Sequence, residues 1–216
     1  MTAAAPARSR AGLGALSLAG LGFLLLRPGL EGLGPSLRTA VLAAGYVGLA
    51  AGGALGRTHG GLHRTRSPRA APLSAGTTLV AGLLAVTAVA LLAGPAPPLA
   101  AGGAALALGL LAAIAEEALF RGALYTWIER RAGWVAHRWP GRGGGSAWGA
   151  ALPPVLAVTA SAVAFALIHL PSYGPAALPV DLGAGLLLGW QRWASGRWTV
   201  PAATHAAANL LAVILP

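Results

Sequence analysis

The chain of 216 residues contains no cysteine, which excludes disulfides, thiolate metal sites, a cysteine nucleophile and a lipidated N-terminal cysteine. Lysine is also missing, so all 15 basic side chains are arginine. Acidic side chains number only five, and charged residues make up 9% of the chain against about 25% in soluble proteins. With 56% hydrophobic residues and a mean hydropathy of +0.69, so small a charged fraction excludes a soluble globular domain. The chain reads as an integral membrane protein whose immediate partner is the lipid bilayer. Its net charge of +10 does not make it a nucleic-acid binder, because the arginines are scattered between apolar stretches with no basic face and no interleaved aromatics.

What is present fits a helical membrane bundle. The 32 glycines and 16 prolines suit close helix packing and helix breaks in lipid. Runs long enough to cross roughly 30 Å of hydrocarbon recur at about 11–27, 38–56, 75–94, 99–128, 150–170, 177–194 and 198–215. The expected fold is therefore all-α, a polytopic transmembrane bundle of about seven helices; a re-entrant segment would make it six or eight. The fourth run is long enough to project beyond the bilayer or to tilt, and only the turn "GPAPP" separates it from the third.

Arginine placement predicts the orientation. Alternate connections hold Arg8 and Arg10, then Arg57, Arg64, Arg66 and Arg69, then Arg130, Arg131, Arg138 and Arg142, then Arg192 and Arg197. The opposite side holds only Arg27 and Arg38, and Arg121 falls inside a helix. The positive-inside rule puts the N-terminus in the cytoplasm and the C-terminus outside. The positive start and first apolar run resemble a signal peptide, but "LLLRPG" follows without a small-x-small cleavage site, so an uncleaved helix is expected. The Gly-rich "GRGGGSAWG" lacks the Lys and Ser/Thr of a phosphate loop and reads as a cytoplasmic connector. His59 and His63 stand one helical turn apart in an Arg-rich loop, where anionic headgroups explain them better than a metal does. Trp127, Trp190, Trp193 and Trp198 fall at helix ends, as an aromatic belt requires. Asp181 is expected to cap or begin the sixth helix.

Few polar groups remain inside the helices. "LLAAIAEEALFRGALY" carries Glu116, Glu117 and Arg121; the fifth run carries His169 near its end; the last carries His205 and Asn209. An ionisable side chain in the bilayer is costly and points to function. Glu117 and Arg121 are spaced i, i+4, one turn apart, where an ion pair forms. Glu116 is rotated about 100° away and is expected to be free for another task. His205 with Asn209, and Phe165 with His169, repeat the i, i+4 offset on two other helices. Held in a low-dielectric pocket, a free carboxylate is an effective general base, a histidine beside it shares a water, and a second histidine with an amide donates to a developing oxyanion. That set describes water attack on an acyl bond. One Glu with two His also describes a zinc site, with Glu116, His169 and His205 as ligands, although no H-E-x-x-H is present.

"EEALFR" (116–121), "FALIH" (165–169) and "HAAAN" (205–209) resemble, in order, the E-E-x-x-x-R, F-x-x-x-H and H-x-x-x-N motifs of the CPBP, or Abi, family. That family includes the type II CAAX prenyl endopeptidases and bacterial relatives linked to bacteriocin processing or self-immunity. The resemblance divides one integral membrane domain into helices of residues 1–98, which match only generically, and a catalytic core of 99–216. It implies a bacterial cell-membrane endopeptidase acting on a membrane-associated peptide or protein. In it Glu116 and His169 activate the water, His205 and Asn209 stabilise the oxyanion, and Glu117, Arg121 and Phe165 support the site. A metal-free mechanism is favoured, with no cofactor, because no cysteine or further carboxylate completes a closed metal site.

Each residue also has a blander reading. Glu116, Glu117 and Arg121 form a structural ion network, His169 is interfacial because "HLPSYGP" leaves the helix, and His205 with Asn209 cross-links helices. A transporter or channel using the Glu, His and Arg cluster is the main functional rival, and a non-catalytic scaffold or immunity factor the second. One tension stands. At about 1.5 Å per residue, Glu116 falls near mid-membrane, His205 toward the cytoplasm and His169 toward the outside, so convergence requires tilted, extended or broken helices.

Overall fold

A computed structural model describes residues 7–58, 73–93, 103–138 and 147–214. All regular structure among them is helical: α1 (Ala7–Leu26), α2 (Pro35–Thr58), α3 (Ala75–Ala93), α4 (Gly103–Glu117), α5 (Tyr125–Arg138), α6 (Ala147–Tyr173), α7 (Leu178–Ser195) and α8 (Thr199–Ile214). A π-helical stretch, Ala118–Leu124, joins α4 to α5 as one rod, so seven rods answer the seven apolar runs. Short 3₁₀ turns follow α1 (Arg27–Gly32) and precede α7 (Pro175–Ala177). The all-α polytopic bundle is the architecture found. Among the described residues, four spans are long and apolar enough to cross a membrane: Gly12–Gly32, Ala75–Leu92, Gly103–Val135 and Ala151–Tyr173, with Thr199–Ile214 a shorter apolar helix. "GPAPP", His59, His63 and the glycines of 141–145 lie outside the described residues; Ala147 onward belongs to α6.

Burial is inverted relative to a soluble protein. Leu18, Leu84, Leu92, Val155 and Val180 face outward, while Thr78, Glu116, Glu117, Arg121, Ser161, Gln191 and Thr204 are buried. In hydrocarbon there is nothing to gain by hiding leucine, so packing and hydrogen bonds hold the helices together. α6 lies along α7, α8 sits between α3 and α4, and α1 and α2 close over the π-helical stretch. Small residues permit these approaches. A Cβ on Gly185 of α7 falls 2.9 Å from the Ala162 Cα of α6, and one on Gly53 of α2 falls 2.8 Å from the Ala118 carbonyl oxygen. The chain turns sharply at Gly174 (φ 75°) between α6 and α7, and at Gly196 (φ 68°), whose N–H donates to Arg192 O and ends α7.

α6 runs a few residues beyond the expected end, through Pro171 to Tyr173, which keeps His169 inside the bundle and buried. At Arg27 the first helix tightens into the 3₁₀ turn, and the side chain is carried inward to Glu116. Asp181, expected to cap or begin its helix, lies in the first turn of α7, with Ala177 at the cap.

Candidate active site

The site is built around the junction of α4 with the π-helical stretch. A π turn closes i→i+5 bonds and occurs often at functional positions. Here the Tyr125 N–H bonds to Phe120 O, one residue earlier than an α-helix would place it. The Arg121 carbonyl instead accepts from Arg192 Nε of α7 at 2.9 Å. Arg121 in turn donates from its guanidinium to Gly185 O of α7 at 2.9 Å. Two reciprocal bonds therefore lock the irregular turn to α7.

Glu117 and Arg121 pair as their spacing requires, Arg121 to Glu117 Oε1 at 2.8 Å, both fully buried. The same Oε1 lies 3.1 Å from His205 Nδ1. A carboxylate only accepts, so Nδ1 carries the hydrogen and Nε2 of His205 faces away from Glu117. His169 is oriented in the same manner, its Nδ1 held 2.7 Å from the Phe165 carbonyl, which leaves Nε2 facing 3.7 Å toward Glu116 Oε2. Phe165 lies between the two imidazoles, its ring centroid 4.5 Å from that of His169 and 5.6 Å from that of His205. The Arg121 guanidinium lies 4.8 Å over the same ring.

Glu116, Glu117, Arg121, Phe165, His169 and His205 are thus brought together, although simple rise per residue set the two histidines on opposite sides of mid-membrane. Asn209 is placed differently. Its Nδ2 donates to Gly109 O of α4 at 3.1 Å, about two turns before Glu116, so one of its two hydrogens is engaged.

Glu116 is not the free carboxylate that its rotation on the helix suggested. Its Oε1 accepts from Arg27 at 3.0 Å, across 89 residues of sequence, and Arg27 also donates to Tyr46 OH at 3.2 Å. Neither Arg27 nor Tyr46 was marked by spacing. The one available signal was that Arg27 directly abuts an apolar run, where a charge needs a partner. Asp181, in the first turn of α7, lies within electrostatic reach of His169, Glu116 and His205, and its buried Oδ2 has no hydrogen-bond partner among the described residues. Gln191 was also missed; its amide donates to Thr78 O at 2.7 Å and Thr204 Oγ1 at 2.9 Å, tying α3, α7 and α8.

A resident zinc ion is poorly served by this arrangement. Among the described residues no three His, Cys, Asp or Glu side chains are gathered closely enough to hold a metal. A guanidinium already occupies the cation position on Glu116.

The family model of the type II CAAX prenyl endopeptidase Rce1-like proteins matches residues 98–211, more than half of the chain and all three motifs. No curated protein and no solved structure matches. The chain belongs to the type II CAAX prenyl endopeptidase Rce1-like family, an integral membrane protein whose family-level activity is that of a CAAX-type intramembrane protease.

Proposed function

We propose that this protein hydrolyses a peptide bond of a membrane-associated substrate with a water activated by Glu116 and His169. The observation that carries this is the pair itself: a buried carboxylate whose Oε2 faces His169 Nε2 across 3.7 Å. That gap is too long for a direct hydrogen bond, and a water at its edge touches both groups. Glu116 takes one proton of the water while His169 Nε2 accepts a hydrogen bond from the other, which holds the water in line. The resulting hydroxide adds to the carbonyl carbon. Charge then develops on the carbonyl oxygen, and His205 in its imidazolium form, its Nδ1–H held by Glu117 Oε1, presents Nε2–H to it. The second amide hydrogen of Asn209 is the further donor. Glu116 returns its proton to the amide nitrogen as the carbon–nitrogen bond breaks, releasing an amine and a carboxylate. No step uses a metal.

The test compares purified full-length protein in liposomes with its Glu116→Gln, His205→Ala and Asn209→Ala variants on membrane peptides, reading new termini by mass spectrometry. Glu116→Gln is expected to lose about 10²–10⁴ in rate, as removal of a general base does. His205→Ala should lose about 10²–10³, the cost of one oxyanion donor. Asn209→Ala should lose less, because Gly109 O already engages part of its amide. Cleavage undiminished in folded Glu116→Gln would sink the reading.

A further inference from the structure

We infer that Arg27, in the 3₁₀ turn after α1, and Tyr46, on α2, are positioning residues that orient Glu116 for its work as a base. The inference rests on the protease reading above and adds residues outside the matched span of 98–211. A carboxylate at the end of a glutamate rotates about a soft final torsion, so its two oxygens exchange places easily unless something fixes one of them. Arg27 does this. Its Nη1 donates to Glu116 Oε1 at 3.0 Å, which leaves Oε2 turned toward His169 Nε2. Compensation of charge acts in the same sense, since a buried carboxylate without a cation is costly.

The guanidinium is itself held. Nη1 also donates to Tyr46 OH at 3.2 Å, and Tyr46 is buried with only 3% of its surface exposed. The Tyr46 ring packs edge-on against Phe23, centroids 5.7 Å apart and planes at 88°. Phe23 lies over Gly45, where any Cβ would overlap its ring. Behind Arg27, Pro28 stiffens the 3₁₀ turn that replaces α1 after Leu26 and directs the side chain inward. A chain of contacts thus runs from Gly45 through Phe23, Tyr46 and Arg27 to Glu116. Such support is what keeps a catalytic group within a fraction of an ångström of its working geometry. The half of the chain that looks like generic membrane helices supplies part of the active site.

The experiment uses full-length protein in liposomes and a quenched fluorescent peptide built on a bond that wild-type protein cuts and Glu116→Gln does not. Arg27→Ala is expected to lower kcat about 100-fold, the scale of an ångström of misplacement, with KM changed less than about threefold. Arg27→Lys should recover about tenfold of that loss, since the charge returns without the planar fork. Tyr46→Phe, which deletes one hydroxyl and keeps the packing, should lower kcat about three- to tenfold through slackening of Arg27. A merely structural role would reduce the yield of folded protein and leave kcat per folded molecule alone. If Arg27→Ala does not fold, Arg27→Lys and Tyr46→Phe carry the test. Unchanged or raised kcat in the folded variants, or a rise confined to KM, overturns the assignment. If wild-type protein cuts no peptide at all, the protease reading falls and takes this inference with it; equal cleavage by wild type and Arg27→Ala removes this inference alone.

Discussion

Glu117 shows why two adjacent acids in a greasy helix are not redundant. One of its oxygens accepts from both Arg121 and His205, so it serves as the hub that fixes a cation and an imidazole at once. Glu116, one residue earlier, faces a different direction and meets Arg27 and His169. Removing the charge at position 117 strands a fully buried guanidinium. Glu117→Gln is therefore expected to lower stability by about 3–5 kcal/mol, and the double variant Glu117→Leu/Arg121→Met to recover much of it, as measured by thermal melting in detergent. A single variant as stable as wild type would show that Arg121 finds another partner. Pairs such as Glu117–Arg121 and Phe165–His169 were legible because a helix converts a spacing of four into contact. Arg27 was not legible, because nothing within its own helix reports a partner 89 residues away.

At the scale of elements, each helix was announced by an apolar run, and its ends fell within a few residues of those expected for six of the seven rods. The exception was the fourth, which extends to Arg138. What the run could not announce was the π-helical stretch inside it, since an i→i+5 turn uses the same residue types as an α-helix. Its support comes from α7, whose Gly185 lets α6 approach and whose carbonyl receives Arg121. Gly185→Ala places a methyl 2.9 Å from Ala162 Cα, so the backbones of α6 and α7 must separate. That overpacking should cost about 1–3 kcal/mol in thermal melting. It should also depress activity by more than Gly183→Ala on the same helix, where a Cβ meets nothing within 4 Å. Equal behaviour of the two variants would mean that the α6–α7 approach does not govern the site.

For the whole molecule, balance of charge and membrane orientation belong together. Two buried carboxylates are matched by two guanidiniums, Arg27 on Glu116 and Arg121 on Glu117. Assigning Arg27 to the site also leaves Arg38, which faces Glu31 at 3.8 Å, as the remaining arginine of the side proposed to be external. The asymmetry behind a cytoplasmic N-terminus is thereby sharper. Because the chain has no cysteine, single thiols report topology cleanly. An impermeant maleimide on intact cells should label Ser36→Cys, and should label Thr199→Cys only after the membrane is opened. The reverse pattern would invert the orientation. Composition alone determined that this is a helical membrane protein, since so few charges and such long apolar runs leave no other way to satisfy the backbone in lipid. Spacing within each helix determined which short polar pairs face one way. Only the tertiary structure decided that these pairs meet around Phe165, that α6 continues past Pro171, and that an arginine of the turn after α1 pairs with the candidate base. Those outcomes depend on how rods cross and where an irregular turn rotates a face, and crossing angles are set by contacts between segments far apart in sequence.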